Sequence, residues 1–258
     1  MSMQHDLFGM QGQLVLVTGA SSGLGEHFAT LLAKHGATVV LAARNTAKLN
    51  DLVQRIHQGG GKAVAVAMDV SEASSVQHAF EQMETLVGVP NVIVNNAGQS
   101  IVKPVLQHSE ADYDQILNTN LKGVWLVATE GARRMVAAGK AGSIVNIASI
   151  LGERVAGGIA PYAISKAGVL QATKALALEL ARNNIRVNAL MPGYVSTNIN
   201  RDFLQSELGE KLRNRIPSRQ FCSLSDLDGP LLLLASPASA GMTGACIPVD
   251  RGHLVSGL

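Results

Sequence analysis

Three scarcities narrow what this 258-residue chain can do. Aromatic residues make up 3%, too few for the stacking platforms that hold single-stranded nucleic acid. Charged residues make up 16% and nearly balance, 21 basic against 19 acidic, so no basic footprint for DNA, RNA or an anionic membrane is expected. Cysteine occurs twice, at Cys222 and Cys246. A reduced, cytoplasmic protein is the simple expectation, and a disulfide between the two stays open. The histidines are scattered and never sit at metal-ligand spacing, so no metal is expected. Met1 to Gln13 has no basic region followed by an apolar one, so no signal peptide is expected. Gly229 to Val249 carries no charge and is long enough to span a bilayer. Pro230, Pro237 and Pro248 break it, and it reads better as a short buried helix, a turn and a final strand.

Against these scarcities stand 47% hydrophobic residues and 26 glycines. A parallel sheet buried on both faces needs such a composition. Short β-rich runs recur at Leu14–Val17, Thr38–Ala42, Ala63–Met68, Val92–Val94, Ser143–Ala148, Arg186–Leu190 and Ile247–Val249. Helical patterns lie between them, including one long helix over Asp112–Ala138 and another over Pro161–Arg182. Strands alternating with helices predict βαβ units with right-handed crossovers. The expected fold is α/β, a doubly wound Rossmann-type domain spanning residues 1–258, with a seven-stranded parallel sheet and helices on both faces. The one sizeable irregular segment is Asn198 to Gln220.

Thr18-Gly19-Ala20-Ser21-Ser22-Gly23-Leu24-Gly25 follows the first strand and opens the first helix. Glycines there allow a sharp turn and close approach of a pyrophosphate, and the helix N-terminus offers free N–H groups. The spacing is G-x-x-x-G-x-G, not the common G-x-G-x-x-G. The second strand ends Leu41-Ala42-Ala43-Arg44-Asn45, and no acidic residue lies between Thr38 and Asn50 to hold a ribose 2′-hydroxyl. Arg44 either meets a 2′-phosphate or is a solvated strand-end residue; the missing acid favours the phosphate, hence NADP(H) over NAD(H). Asp69, closing the third strand, either accepts from an adenine amino group or caps the next helix.

Tyr162 and Lys166 are four residues apart on a predicted helix and share a face. An adjacent ammonium favours the phenolate, so the pair is expected to act as a proton donor and acceptor near neutral pH. Ser149, thirteen residues earlier at a strand end, is placed to project into the same crevice.

With these residues the chain resembles the short-chain dehydrogenase/reductase family in its compact form. Thr18 to Gly25 looks like that family's cofactor motif, Asn95-Asn96-Ala97-Gly98 like its fourth-strand motif, and Asn120 falls where the family has its catalytic Asn. Ser149, Tyr162 and Lys166 complete the tetrad, and Pro192-Gly193 with Val195 and Thr197 looks like the nicotinamide-side motif. The resemblance implies hydride transfer between a nicotinamide cofactor and a ketone or secondary alcohol. Tyr162 would donate or take the proton, Ser149 would polarise the carbonyl, and Lys166 would hold the ribose and depress the Tyr162 pKa. Asn120 would support a water relay. Gly19, Ser21, Ser22, Gly23, Leu24, Gly25, Arg44, Asp69, Val70, Asn96, Ala97, Gly98 and the residues of the nicotinamide-side motif would line the cofactor, together with Tyr162 and Lys166.

Two positions depart from the family pattern. Ser22 stands where NADP-preferring members often carry a basic residue, and Asp250-Arg251-Gly252 replaces Asp-Gly-Gly. Arg251 therefore either disturbs a tight turn or meets a neighbouring subunit. Gln99, Ile101, Ile150 and Leu151 are expected to form a largely apolar pocket wall, with residues 198–220 as a lid. The substrate class extends over 3-oxoacyl, sugar and small hydrophobic carbonyls. A non-catalytic cofactor sensor on the same scaffold is the alternative, though it is disfavoured by the presence of both Tyr162 and Lys166. The two long helices carry apolar residues more than halfway round, which predicts a homotetramer, with a dimer as the fallback.

Overall fold

A computed structural model describes residues 7–196 and 201–256. Seven strands form one parallel sheet: β1 (Leu14–Thr18), β2 (Thr38–Ala43), β3 (Lys62–Ala67), β4 (Val92–Asn95), β5 (Gly142–Ile147), β6 (Ile185–Pro192) and β7 (Cys246–Val249). Their order across the sheet is β3-β2-β1-β4-β5-β6-β7, so the winding reverses between β1 and β4. In this arrangement Val15 pairs with Val39 on one side and with Val92 on the other. Ligands of such sheets sit beyond the carboxyl ends of the strands at that reversal.

The pleat sends alternate β1 side chains to opposite faces. Val15 and Val17 join one core with Phe28 and Leu32 of α1 (Gly23–Lys34), Leu52 and Ile56 of α2 (Thr46–Gln58), and Leu231 and Leu234 of α9 (Asp228–Ala235). Leu16 faces the second core, with Phe80 and Met83 of α3 (Ala73–Leu86), Val127 and Met135 of α5 (Gly123–Ala137), and Leu176 of α6 (Ala160–Leu180). Helices thus cover both faces, and the continuous apolar strand runs follow from that two-sided burial. No described helix is long and apolar enough to cross a membrane; the charge-free stretch before Val249 becomes α9, a 3-10 turn at Pro237–Ser239 and β7.

The long helix expected over Asp112–Ala138 is not continuous. It starts as α4 (Glu110–Leu117), under a Ser109–Asp112 capping box, and widens into a π-helical turn over Asn118–Lys122 before α5 resumes. The Gly123 N–H reaches back five residues to the Asn118 carbonyl. Such a turn inserts one residue without disturbing the apolar stripe on either side, so periodicity alone does not report it. Gly123, at its end, lets the helix pack close to Val70: a Cβ there would lie 2.7 Å from Val70 Cγ2.

Residues 201–220 are more regular than expected, with α7 (Arg201–Gln205) and α8 (Glu207–Arg213), the latter capped by Ser206. Arg251 does not disturb its turn. Its backbone takes the left-handed conformation, at φ 56°, that a glycine would supply. Its guanidinium donates to Asp226 Oδ2 at 2.6 and 3.0 Å and to Gln220 Oε1 at 2.8 Å. The side chain therefore has partners within its own chain. The two cysteines are not bonded to each other: both are free thiols, Cys222 buried and Cys246 half-buried.

Candidate active site

A cavity of about 940 Å³ opens at the carboxyl ends of the strands, on the reversal between β1 and β4. It gathers Gly19, Ser21, Ser22, Gly23 and Leu24 from the β1–α1 turn, Arg44 from the end of β2, and Asp69 and Val70 from beyond β3. Asn96, Ala97 and Gly98 line it after β4, Ser149 after β5, Tyr162 and Lys166 from α6, and Pro192, Gly193 and Val195 after β6. Gly25 lies behind the lining, Asn120 is buried beneath it, and Thr197 lies outside the described residues.

The glycine turn is built for close approach. Gly19 takes φ +66°, and a Cβ on it would lie 2.9 Å from Ala97 Cα. A Cβ on Gly25 would lie 2.3 Å from the Gly19 carbonyl oxygen, so this position packs helix against strand. Thr18 Oγ1 accepts from the N–H groups of Asn96 and Ala97, and Asn96 Nδ2 donates back to the Thr18 carbonyl at 2.9 Å. These bonds hold the ends of β1 and β4 together. Ser22, the N-cap of α1, makes no side-chain cap bond, which leaves first-turn N–H groups for a ligand. A phosphate-bearing dinucleotide fits this cradle of free donors and missing Cβ atoms.

Arg44 is largely exposed and its nearest acid is Asp69, 3.9 Å away, so the guanidinium is loosely held. Asp69 caps neither α3 nor any other helix. Its Oδ1 accepts from the Ser71 N–H at 3.0 Å and the Ser71 hydroxyl at 2.7 Å, closing a local turn. Burial pushes the Asp69 carboxyl up, but those two bonds together with Arg44 hold it below the usual range.

On the opposite wall Ser149, nearly buried, caps a 3-10 turn by accepting from the Leu151 N–H, and it lines the cavity beside Tyr162. The ammonium of Lys166 is buried, 5.6 Å from the Tyr162 ring centre, and donates to the Ile147 carbonyl at 2.8 Å. Burial alone pulls the Lys166 pKa down to about 8. The Tyr162 phenol is not depressed as its spacing from Lys166 predicts. Burial pushes it up, the neighbouring Ser149 hydroxyl opposes that, and nearby Tyr194 adds to the rise. Desolvation is the largest influence on the phenol.

Asn120, fully buried in the π-turn, donates to Ser165 Oγ at 3.1 Å, and Ser165 donates to the Tyr162 carbonyl at 2.7 Å. A Cβ on Gly98 would lie 3.5 Å from Asn120 Oδ1 and 3.6 Å from Lys166 Nζ, so these polar tips converge beneath Gly98. Of the expected apolar wall, Gln99, Ile150 and Leu151 line the cavity; Ser100 and Val102 take the place of Ile101. The sequence reading missed Tyr194, which lines the cavity with its ring against Phe221 and His253 at 6.4 and 5.8 Å. Its place directly after Pro192-Gly193 was the available signal.

This arrangement can hold a nucleotide cofactor along one wall and exchange a proton with a substrate oxygen on the other. A profile for the family described as enoyl-(acyl carrier protein) reductase matches residues 19–253. Gluconate 5-dehydrogenase of Gluconobacter oxydans (strain 621H) is 35% identical over 256 residues, 98% of this chain and 100% of that protein. The structure of gluconate 5-dehydrogenase from Burkholderia cenocepacia J2315, in complex with NADP and tartrate, is 34% identical with a TM-score of 0.94, covering 98% of this chain and 99% of that one. A short-chain type dehydrogenase/reductase from Mycobacterium marinum is 36% identical with a TM-score of 0.91, covering 96% and 98%. Fold, cavity and relatives agree, and the chain belongs to the short-chain dehydrogenase/reductase family.

Proposed function

We propose that this protein is an NADP(H)-dependent oxidoreductase that interconverts a ketone and a secondary alcohol, with Tyr162 as the proton donor and acceptor. The observation that carries the reading is the convergence of Ser149, Tyr162 and the buried Lys166 ammonium on one wall of the cavity, opposite a phosphate-accepting glycine turn. The bound nicotinamide supplies the hydride chemistry. Ser149 and Tyr162 direct hydroxyl groups at the substrate oxygen, where negative charge develops during reduction, and stabilise it there. Tyr162 then gives up its proton to that oxygen. Lys166 would hold the cofactor ribose, and with Asn120 it would carry the path that returns a proton to Tyr162. The wall of Ile150, Leu151 and Leu204 excludes water from the reacting atoms.

Arg44 sets the cofactor preference. Its guanidinium sits loosely at the end of β2 with no acidic residue on that strand, an arrangement suited to a 2′-phosphate, and the Burkholderia relative was solved with NADP. Arg44→Ala is expected to weaken NADPH binding by about 10- to 100-fold, the scale of one lost charge-assisted contact, and to leave NADH binding nearly unchanged. Titration of cofactor fluorescence checks this; equal losses for both cofactors would refute it. The relatives named for gluconate make a keto sugar acid the first substrate to try, with 3-oxoacyl thioesters and small hydrophobic ketones beside it.

The chain acts as one domain in a homotetramer, with residues 201–220 as the described part of a lid that the sequence extends over 198–200, outside the described residues. Leu204 of α7 reaches the cavity wall, which supports the lid. Val127 and Met135 of α5 and Val169 and Leu176 of α6 are buried within the chain, but Trp125, Ile164 and Leu178 are 50%, 52% and 82% exposed. Large apolar side chains left bare on two adjacent helices favour cover by a second copy. Light scattering after size exclusion at micromolar concentration is expected to give four times the 27.0 kDa chain mass, or twice it as the fallback. A stable monomer would refute the assembly. The free thiols of Cys222 and Cys246 support a reducing, cytoplasmic setting.

A further inference from the structure

We infer that the side chain of Gln99 is a positioning residue for proton transfer, acting through the π-turn that carries Asn120. The inference rests on the proposed role of Asn120 and extends it by one shell.

The widened turn over Asn118–Lys122 is the irregular point of an otherwise continuous helical stretch, and it places Asn120 under the cavity. Such a turn is less favourable than the α-helix it interrupts, and it persists where side chains hold its displaced groups. Here one residue does so with both its backbone and its side chain. The Gln99 N–H donates to Asn120 Oδ1 at 2.8 Å, and Asn120 Nδ2 donates to the Gln99 carbonyl at 2.9 Å. The Gln99 amide then reaches the start of the same turn. Its Nε2 donates to the Gln115 carbonyl at 2.9 Å and to Thr119 Oγ1 at 2.8 Å, while its Oε1 accepts from Gln115 Nε2 at 3.0 Å.

The backbone pair fixes the plane of the Asn120 amide. The side-chain bonds fix where the turn begins, and so the height of Asn120 below Gly98. From Asn120 the restraint continues through Ser165 to the backbone of Tyr162. Gln99 also lines the cavity, yet its amide is committed to the helix on both its nitrogen and its oxygen. Its contribution is therefore to the geometry of the relay rather than to substrate contact. Without these bonds the turn can relax toward regular α-helix, which moves Asn120 out of register with Lys166.

The test compares Gln99→Leu, Asn120→Ala and the double variant with the wild-type enzyme. Gln99→Leu keeps the bulk and removes the amide. It is expected to lower kcat by about 10- to 100-fold, the scale of a misplaced reacting group, while KM for NADPH stays within about twofold. It should also shift the pH at which kcat is half-maximal and speed hydrogen exchange of the amides over residues 115–123. Because Gln99 acts through Asn120, adding Gln99→Leu to Asn120→Ala should lower kcat little further. Thr119→Val removes a single partner of the Gln99 amide and should reproduce the fall in kcat at smaller size, which keeps the test open should Gln99→Leu fold poorly. Wild-type kcat and pH profile in both Gln99→Leu and Thr119→Val would overturn the inference, as would losses that multiply in the double variant. An Asn120→Ala enzyme of full activity would instead remove the underlying role of Asn120, and the inference with it.

Discussion

Tyr162→Phe is expected to lose nearly all turnover while still binding NADPH. The substitution removes one hydroxyl and keeps the ring that fills the site. A positioned proton donor contributes about 10²- to 10⁴-fold, so kcat should fall by that much in both directions of the reaction. Stability should change little, because Ser149 still accepts from the Leu151 N–H and its hydroxyl still faces the cavity. The direction of the Tyr162 shift adds a pH signature. Burial raises the phenol pKa, so the group stays protonated through neutral pH and is ready to donate during carbonyl reduction. Alcohol oxidation needs the deprotonated form, so its rate should climb as pH rises, while reduction should decline only once pH passes the raised pKa. The Phe variant should show neither trend. Steady-state rates from pH 6 to 10, with cofactor affinity measured separately, should show the rise in oxidation with no fall in reduction; a wild-type rate in the variant would exclude Tyr162 as the proton donor.

Lys166→Met is expected to destroy activity and at the same time stabilise the fold. The ammonium is buried, and burial alone takes its pKa from 10.5 to about 8. At 1.36 kcal/mol per unit, holding the charge inside costs the folded state about 3 kcal/mol at neutral pH. Met removes that cost, but it leaves the Ile147 carbonyl without the donor it now has, a loss of about 1–3 kcal/mol. The net expectation is a gain of about 1 kcal/mol, or ~2–4 °C in Tm for a chain of this length. The pH dependence identifies the cause. Between about pH 8 and 10.5 the unfolded wild-type lysine keeps its proton while the folded one loses it, so wild-type stability recovers in that window and the advantage of the variant shrinks. Turnover should fall by at least about 100-fold, since the proton path and the ribose contact go together. Melting curves at pH 7 and pH 10 settle the matter. A variant less stable than wild type at pH 7 would show that the buried ammonium stabilises the fold, contrary to this account.

Most of the architecture was legible because a sheet covered on both faces writes itself as short apolar runs. Val15, Leu16 and Val17 are all buried, in alternating cores, so the run betrays a strand without saying which side chain meets which helix. Tyr162 and Lys166 were legible for a local reason, their spacing of one helical turn. What stayed hidden depends on contacts through space. The π-turn at Asn118–Lys122 leaves the apolar stripe intact, so the stretch reads as one helix. Gln99 reads as an ordinary pocket residue until its amide is seen bonded to Gln115 and Thr119, sixteen and twenty positions away. The rise in the Tyr162 pKa reflects how deeply the phenol is enclosed, which no local motif carries. Arg251 looks like a broken turn in sequence because its partners, Asp226 and Gln220, belong to a distant segment.

The central claim, a dehydrogenase/reductase that uses NADP(H), is tested most directly by following cofactor absorbance with purified protein. The assay presents NADPH and NADH in turn with a keto sugar acid, a 3-oxoacyl thioester and small hydrophobic ketones, and presents the oxidised cofactors with the corresponding alcohols. The account predicts oxidation of NADPH, one equivalent per carbonyl reduced and faster than with NADH, by the wild-type enzyme but not by Tyr162→Phe. Tight NADPH binding with no turnover on any member of the panel, in either direction, would contradict it and point to a protein that senses the cofactor without using it.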